Sequence, residues 1–450
     1  MRAGLGAAAL ALAFVQGLRG MDPVPTWFYV FAWYPTLVLL DSCATLLDGS
    51  PSLFARPALA LSLFLWSPIV WLVFEAANFR LQDWYYVLLP AHAAERWAGI
   101  LLSFATVVPA IVLAERALAS AGVFRAGRGP RLAVRRGDLW GAVALGVGMG
   151  ILALRWPRLF FPLVWGAAFL LAEPVAYARL PDLSLFRDVE RGQWGRVGRV
   201  MLGGLGVGVL WETFNHVAQA RWIYTVPWLE ELKLFEMPPL GFIGFPVFAL
   251  EAWAMYGALA GLGVAVPPAG TAPRRARRTL GAGLLAAAFA VAVLLGMERY
   301  TISSVASRAA AGGGHSNGAP EPGGAGHALA ELAALRGMGW GHARTLMALG
   351  VGTRCELARA AAEPLAARMR AATGRRRPTA AEVRVWVRAA ERSCPRPMGS
   401  AAPGSGRSRP RPAVTSPHGL SRSGEGHATV RYSAATPSAV SRSTSSRMTG

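Results

Sequence analysis

Nine apolar runs dominate the first 300 residues of this 450-residue chain. Each approaches the ~20 residues that an α-helix needs to cross a hydrocarbon layer roughly 30 Å thick. The runs cover approximately 3 to 18, 27 to 46, 58 to 79, 98 to 118, 139 to 155, 159 to 178, 199 to 217, 240 to 263 and 279 to 297. A chain that is 53% hydrophobic and only 16% charged, against about 25% charged in ordinary soluble domains, is not a soluble globular enzyme. The expected fold class is all-α: a polytopic helical membrane protein of about nine spans, arranged as tandem parallel four-helix repeats, plus a small soluble helical domain. The first run is short, rich in Ala and preceded by Arg2, so a cleaved signal peptide competes with a true span. The repeat described below requires a helix there and favours the span.

Orientation follows from the basic residues of the short loops, because Lys and Arg are retained on the cytoplasmic side. With the N-terminus cytoplasmic, that side receives seventeen Arg and the opposite side seven basic residues, the chain's one lysine, Lys233, among them. The bias predicts a bacterial inner-membrane protein with its N-terminus inside and, after nine spans, its C-terminal tail in the periplasm.

An internal duplication organises the membrane region. Phe74-Glu75-Ala76-Ala77-Asn78-Phe79-Arg80-Leu81-Gln82 is followed by Trp84 and Tyr86, and Trp211-Glu212-Thr213-Phe214-Asn215-His216-Val217-Ala218-Gln219 by Trp222 and Tyr224. Upstream, Trp33, Asp41 and Ser52-Leu53-Phe54 match Trp165, Glu173 and Ser184-Leu185-Phe186. The offsets are 132 for the upstream block and 137 for the later one, which places a five-residue insertion in one cytoplasmic loop. Four spans per copy is an even number, so the copies share one topology and an axis along the membrane normal. The expected domains are 1–137 and 138–265 for the repeats, 266–300 for a basic loop and ninth span, 301–326 for a flexible linker, 327–392 for a small helical domain and 393–450 for a disordered tail.

Ionisable groups inside spans are costly and mark sites or pathways. Spacings of three and four put Glu75, Asn78 and Gln82 on one helix face, and Glu212, Asn215 and Gln219 on another. Asp41 and Glu173 form a second matched pair nearer the cytoplasm. Glu251 in the eighth span has Glu115, at the end of the fourth, as its counterpart, although Arg116 offers Glu115 an ion-pair partner. Two carboxylates sharing a poorly solvated seam suit proton coupling or general-acid work. A plainer account has both glutamates capping neighbouring helices and the Trp-Tyr pairs forming an interfacial aromatic belt. His216, four positions after Glu212, has only Phe79 as its counterpart, so nothing calls for a metal or cofactor. No zinc-protease, nucleophile-elbow or phosphate-loop signature is present. Pro238 and Pro239 close a Trp-rich loop that reads as a folded external cap.

The stretch from Trp211 to Tyr256, with the Phe74-Glu75-Ala76-Ala77-Asn78 segment, resembles a family of bacterial multi-pass membrane proteins described only as hypothetical, which implies no activity. A looser similarity is to small membrane-embedded lycopene cyclases, in which a Trp-rich external segment precedes a Pro and acidic motif. Met237-Pro238-Pro239 lacks the adjacent Glu pair of that pattern.

Past Tyr300 the composition shifts to Ala, Gly, Ser, Pro and Arg, with 21 arginines against seven acids. Residues 308 to 326 read as a Gly-rich linker. Apolar periodicity then returns through Leu332, Leu346, Leu365, Met369 and Trp386, predicting three or four short helices. Leu335-Arg336-Gly337-Met338-Gly339, with Ala343 and Leu346 beyond, resembles the helix-hairpin-helix motif. In that motif Gly337 and Gly339 would make the tight turn, and DNA-binding members offer hairpin amides to a phosphate. An external tail excludes chromosomal DNA and leaves a protein or envelope partner, besides the lipid bilayer itself. Cys43, Cys355 and Cys394 read as too few and too scattered for a disulfide framework, with Cys43 packed in the apolar interior.

These features predict a secondary transporter or ion-coupled permease that uses the matched carboxylates. The alternatives are a membrane-embedded enzyme acting on a lipid or isoprenoid, and a non-catalytic scaffold that presents the hairpin module.

Overall fold

The computed structural model describes residues 1–90, 92–224, 226, 233–268, 276–298, 301–303, 325–335, 338–372, 378 and 380–394. Most of the expected linker, the expected disordered tail from 395, Arg336 and Gly337 lie outside the described residues. The first half is built of α1 (Arg2–Leu18), α2 (Val24–Asp48), α3 (Pro57–Leu81), β1 (Trp84–Leu89), α4 (Ala93–Phe104) and α5 (Val107–Ser120). The second half contains α6 (Arg136–Arg155), α7 (Pro157–Phe160), α8 (Val164–Arg179), α9 (Leu185–Glu190), α10 (Gly195–Val217), β2 (Arg221–Tyr224) and α11 (Gly244–Gly261). Then follow α12 (Ala276–Met297), β3 (Thr301–Ser303) and, among the described residues, five short helices.

Among the described residues seven helical segments are long and apolar enough to cross a membrane, consistent with an all-α polytopic protein. Of the other two apolar runs, α1 has 17 residues and α10 has 23. The latter is rich in glycine, which contributes little hydropathy but lets helices approach closely. A Cβ on Gly204 would stand 2.3 Å from the Ala249 Cβ, and one on Gly208 2.2 Å from the Phe245 ring, so α10 and α11 meet backbone to backbone.

Helix breaks have local causes. The Ser67 hydroxyl donates to the Phe104 carbonyl at 2.6 Å and accepts from the Val108 N–H at 3.0 Å, satisfying both sides of the break between α4 and α5. Two turns, after α2 and after α8, are capped alike by serine side chains. Ser52 accepts from the Phe54 N–H at the head of a 3₁₀ turn, Leu53–Ala55, and Ser184 accepts from the Arg187 N–H at the head of α9. The former turn has three residues and α9 has six.

Three strands make a small sheet in the order β2-β1-β3, an element the all-α reading lacked. Trp84 pairs with Tyr224 and Tyr86 with Trp222 in the antiparallel ladder. Alternation aims Trp84, Tyr86, Trp222 and Tyr224 to one face and Tyr85, Val87 and Ile223 to the other. Leu88 takes a left-handed φ of 59° at the β1–β3 irregularity, which returns Leu89 to the first face.

The second face is covered by the C-terminal helices α13 (Ala325–Ala333), α14 (Gly339–Ala348), α15 (Arg354–Ala358), α16 (Ala362–Ala372) and α17 (Ala380–Ser393). Tyr85, Val87 and Ile223 share a core with Leu332, Leu346 and Trp386, and the Tyr85 hydroxyl donates to the Ala333 carbonyl at 2.6 Å. Among the described residues there are five helices where three or four were expected, because Thr353 and Glu356 form a capping box that starts the brief α15. The reading of the cysteines is corrected as well. Cys355 and Cys394 form a disulfide with their Cα atoms 5.3 Å apart, a pairing hidden in the sequence by their 39-residue separation. Cys43 is exposed on α2 and not packed inside.

Candidate functional site

The first face of the sheet roofs a cavity of about 600 Å³, within the range of small-molecule sites. Its walls are aromatic and come from both halves. Trp27, Tyr29, Trp71, Trp84 and Tyr86 belong to the first, and Trp165, Trp211, Trp222, Tyr224 and Phe248 to the second. Gly99 makes room for Trp27, whose ring a Cβ there would meet at 1.4 Å.

Glu75 and Glu212 lie directly behind this wall. They do not line the cavity themselves, but their partners do. Glu75 Oε1 accepts from Trp71 Nε1 at 2.8 Å, Trp84 Nε1 at 3.0 Å and the Tyr86 hydroxyl at 2.5 Å. Glu212 Oε1 accepts from the Tyr224 hydroxyl at 3.0 Å. Each carboxylate thus goes to the tyrosine of its own following strand, and the paired strands bring the two assemblies together. Burial, reinforced by the adjacent carboxylates, holds the Tyr86 and Tyr224 hydroxyls well above the ordinary range, so they remain donors at physiological pH.

Asn78 and Asn215 bind the strands to the helices. The Asn78 amide donates to the Trp84 carbonyl at 2.8 Å while its oxygen accepts from the Asp83 N–H at 2.8 Å. Asn215 repeats this on Trp222, donating to the carbonyl and accepting from the N–H, both at 2.9 Å. The glutamines do not share that face. α3 ends at Leu81, and Gln82 is its left-handed cap with φ 57°, while Gln219 follows the end of α10 at Val217 and is exposed. The three-residue face is therefore a Glu-Asn pair on each of α3 and α10. His216 is exposed and lies against the Phe235 ring.

Asp41 and Glu173 occupy similar buried places, each beside a serine-capped turn. Asp41 accepts from the Ser52 hydroxyl and, at 2.8 Å, from the Leu53 N–H. Glu173 accepts from the Ser184 hydroxyl at 2.6 Å and the Phe186 N–H at 2.9 Å. The structure separates them in one respect: Arg116 pairs with Asp41 at 2.6 Å, and no cation is paired with Glu173 among the described residues. Arg116 also donates to the Pro51 carbonyl at 2.9 Å, and Trp253 Nε1 donates to the Leu183 carbonyl at the same distance.

Glu251 and Glu115 are not placed alike. Glu115 pairs with Arg199 at 2.8 Å. Glu251, fully buried, accepts from the Gly166 N–H at 2.7 Å and the Ala168 N–H at 2.9 Å, where α8 departs from helical geometry at Trp165 and Gly166. A carboxylate here caps a broken helix and opposes its N-terminal dipole. In the tail, Gly339 begins α14 and Gly337 lies outside the described residues.

The aromatic cavity was only half visible in the sequence. Trp84, Tyr86, Trp222 and Tyr224 stand in the repeat, but Trp27 and Trp71 gave no signal beyond a tryptophan count of 16. No protein-family model, curated protein or solved structure matches the chain.

Proposed function

We propose that the protein is a secondary transporter of nine spans, made of two parallel four-helix halves, that binds its solute in the aromatic cavity at their seam. The cavity carries this reading, because in repeated carriers the site lies where the halves meet. Reciprocal contacts support the two-fold relation. Trp33 packs on Trp211 with ring centroids 5.9 Å apart, and their counterparts Trp165 and Phe74 stack at 5.3 Å. The Trp84–Tyr224 and Tyr86–Trp222 pairing is likewise self-complementary, as an isologous contact must be. Glu75 and Glu212 take the role of coupling groups that act through Tyr86 and Tyr224. The retained α1 fits this scheme, since Phe14 packs on Phe28 and Phe214 with centroids 5.1 and 5.9 Å away.

The membrane is read as a bacterial inner membrane, with the N-terminus cytoplasmic and the C-terminal domain periplasmic. The Cys355–Cys394 bond supports that side, because disulfides persist in oxidising compartments. The domain's resemblance to a helix-hairpin-helix module is then read as a protein- or envelope-binding role.

Purified protein in proteoliposomes tests the reading. A proton- or ion-dependent flux should appear for some member of a solute panel and be abolished by Glu75→Gln and by Glu212→Gln. A panel without any flux sensitive to either change defeats it. One observation favours a second reading, an enzyme acting on a lipid or isoprenoid: the Tyr86 and Tyr224 hydroxyls, each backed by a carboxylate, lie on an apolar cavity in a general-acid arrangement. Lipid and pigment profiles unchanged between a deletion strain and its parent would count against that alternative.

A further inference from the structure

We infer that the cavity is built for an organic cation: a hydrophobic molecule carrying a quaternary or otherwise permanent positive charge. This rests on the reading of the cavity as a solute site and names the class of solute.

Aromatic faces attract cations through their ring quadrupole, and the attraction grows when water is excluded. Here the rings are enriched further. Trp71, Trp84 and Tyr86 all spend their only polar hydrogen on the single oxygen Glu75 Oε1, and Tyr224 spends its hydrogen on Glu212. A phenol or indole that donates to a carboxylate gains electron density in its ring. Four cavity walls are therefore made more negative by groups that never touch the occupant.

The charge balance points the same way. Arg96, on the cavity wall, is held by Glu298 at 2.5 Å. Asp83 and Arg221, also on the wall, offset one another in sign. Lys233 and Glu236, which face Glu212 from the external loop, do likewise. What remains is Glu75 and Glu212, both buried, with neutral hydrogen-bond donors on Oε1 and no ion-pair partner among the described residues. An anion seated here would face the negative faces of these rings, whereas a cation among them is attracted to every one.

The test uses two probes of nearly equal shape and apolar surface but opposite charge, tetraphenylphosphonium and tetraphenylborate. Each is titrated into the full-length protein in a neutral detergent, with tryptophan fluorescence as the readout and protein-free micelles as the blank. The phosphonium ion should bind at least about ten-fold more tightly than the borate. Glu75→Gln should cut that preference at least about three-fold, and Tyr86→Phe, which keeps the ring and removes its hydrogen bond to Glu75, should also reduce it. Equal affinities in the wild-type protein, or tighter binding of the borate, overturn the proposal without reference to any variant. A wild-type preference unchanged in both folded variants overturns the assignment to these walls. Cation binding without any flux would defeat the transporter reading and leave this one standing. Flux of neutral or anionic solutes without cation preference would do the reverse.

Discussion

Asn78 and Asn215 show how single side chains set the roof of the cavity. Each amide donates to the carbonyl of its strand's tryptophan and accepts a backbone N–H at the strand's head, from Asp83 just before β1 and from Trp222 within β2. Removing the amide leaves buried backbone groups unpaired, which costs about 1–3 kcal/mol. Asn78→Ala and Asn215→Ala should each lower the thermal midpoint of the detergent-solubilised protein, and a midpoint unmoved by both would show that the clasps are dispensable. The Glu-x-x-Asn spacing was legible because three residues is nearly one helical turn. The glutamines were misread because α3 and α10 end at Leu81 and Val217 without a glycine or proline to announce it. The strands were missed for a related reason: Trp84–Leu89 is a short aromatic and aliphatic run that reads equally as a membrane-interface belt, and only its partner Arg221–Tyr224, more than a hundred residues away, makes it a strand.

Helices were legible throughout the apolar runs, since each run is helical over nearly all of its length. Their mutual packing was not, because it depends on which small residues face each other. Gly204 and Gly208 stand four apart, one turn of α10, and admit Ala249 and Phe245 of α11 into the helix groove. Gly204→Leu forces the two backbones apart, whereas Gly206, with nothing within 4 Å of its Cβ position, should accept leucine. The expected result is loss of the monodisperse gel-filtration peak for the first variant and retention for the second. Equal behaviour of the pair would remove close α10–α11 contact from the account. The chain after α8 was readable as a length but not as structure: it forms the six-residue α9, whose Asp188 pairs with Arg196 of α10 at 2.8 Å.

At the scale of the whole molecule, the sheet joins what the sequence presents as separate parts. One face of β1 and β2 closes the aromatic cavity and the other carries the C-terminal helices through Tyr85, Val87 and Ile223, so the side of the membrane on which that domain lies is also the side on which the cavity has its roof. Charge counts cannot fix this side for a long domain, and parity of spans does so only if α12 crosses. The disulfide supplies an independent handle. Closing a 39-residue loop stabilises the folded domain by roughly 4 kcal/mol on the chain-entropy model, so in a periplasmic domain Cys355 and Cys394 should resist thiol labelling in intact cells until a reductant is added. Cys355→Ser should then make the region beyond β3 the first to yield to protease. A reporter that is active only in the periplasm, fused after residue 395, should be active, and a fluorescent protein that folds only in the cytoplasm should stay dark at the same position. The opposite pair of results, with both thiols labelled without reductant, would put the domain and the roof of the cavity in the cytoplasm, require an even number of crossings before the tail, and bring nucleic acid back as a partner for the hairpin region.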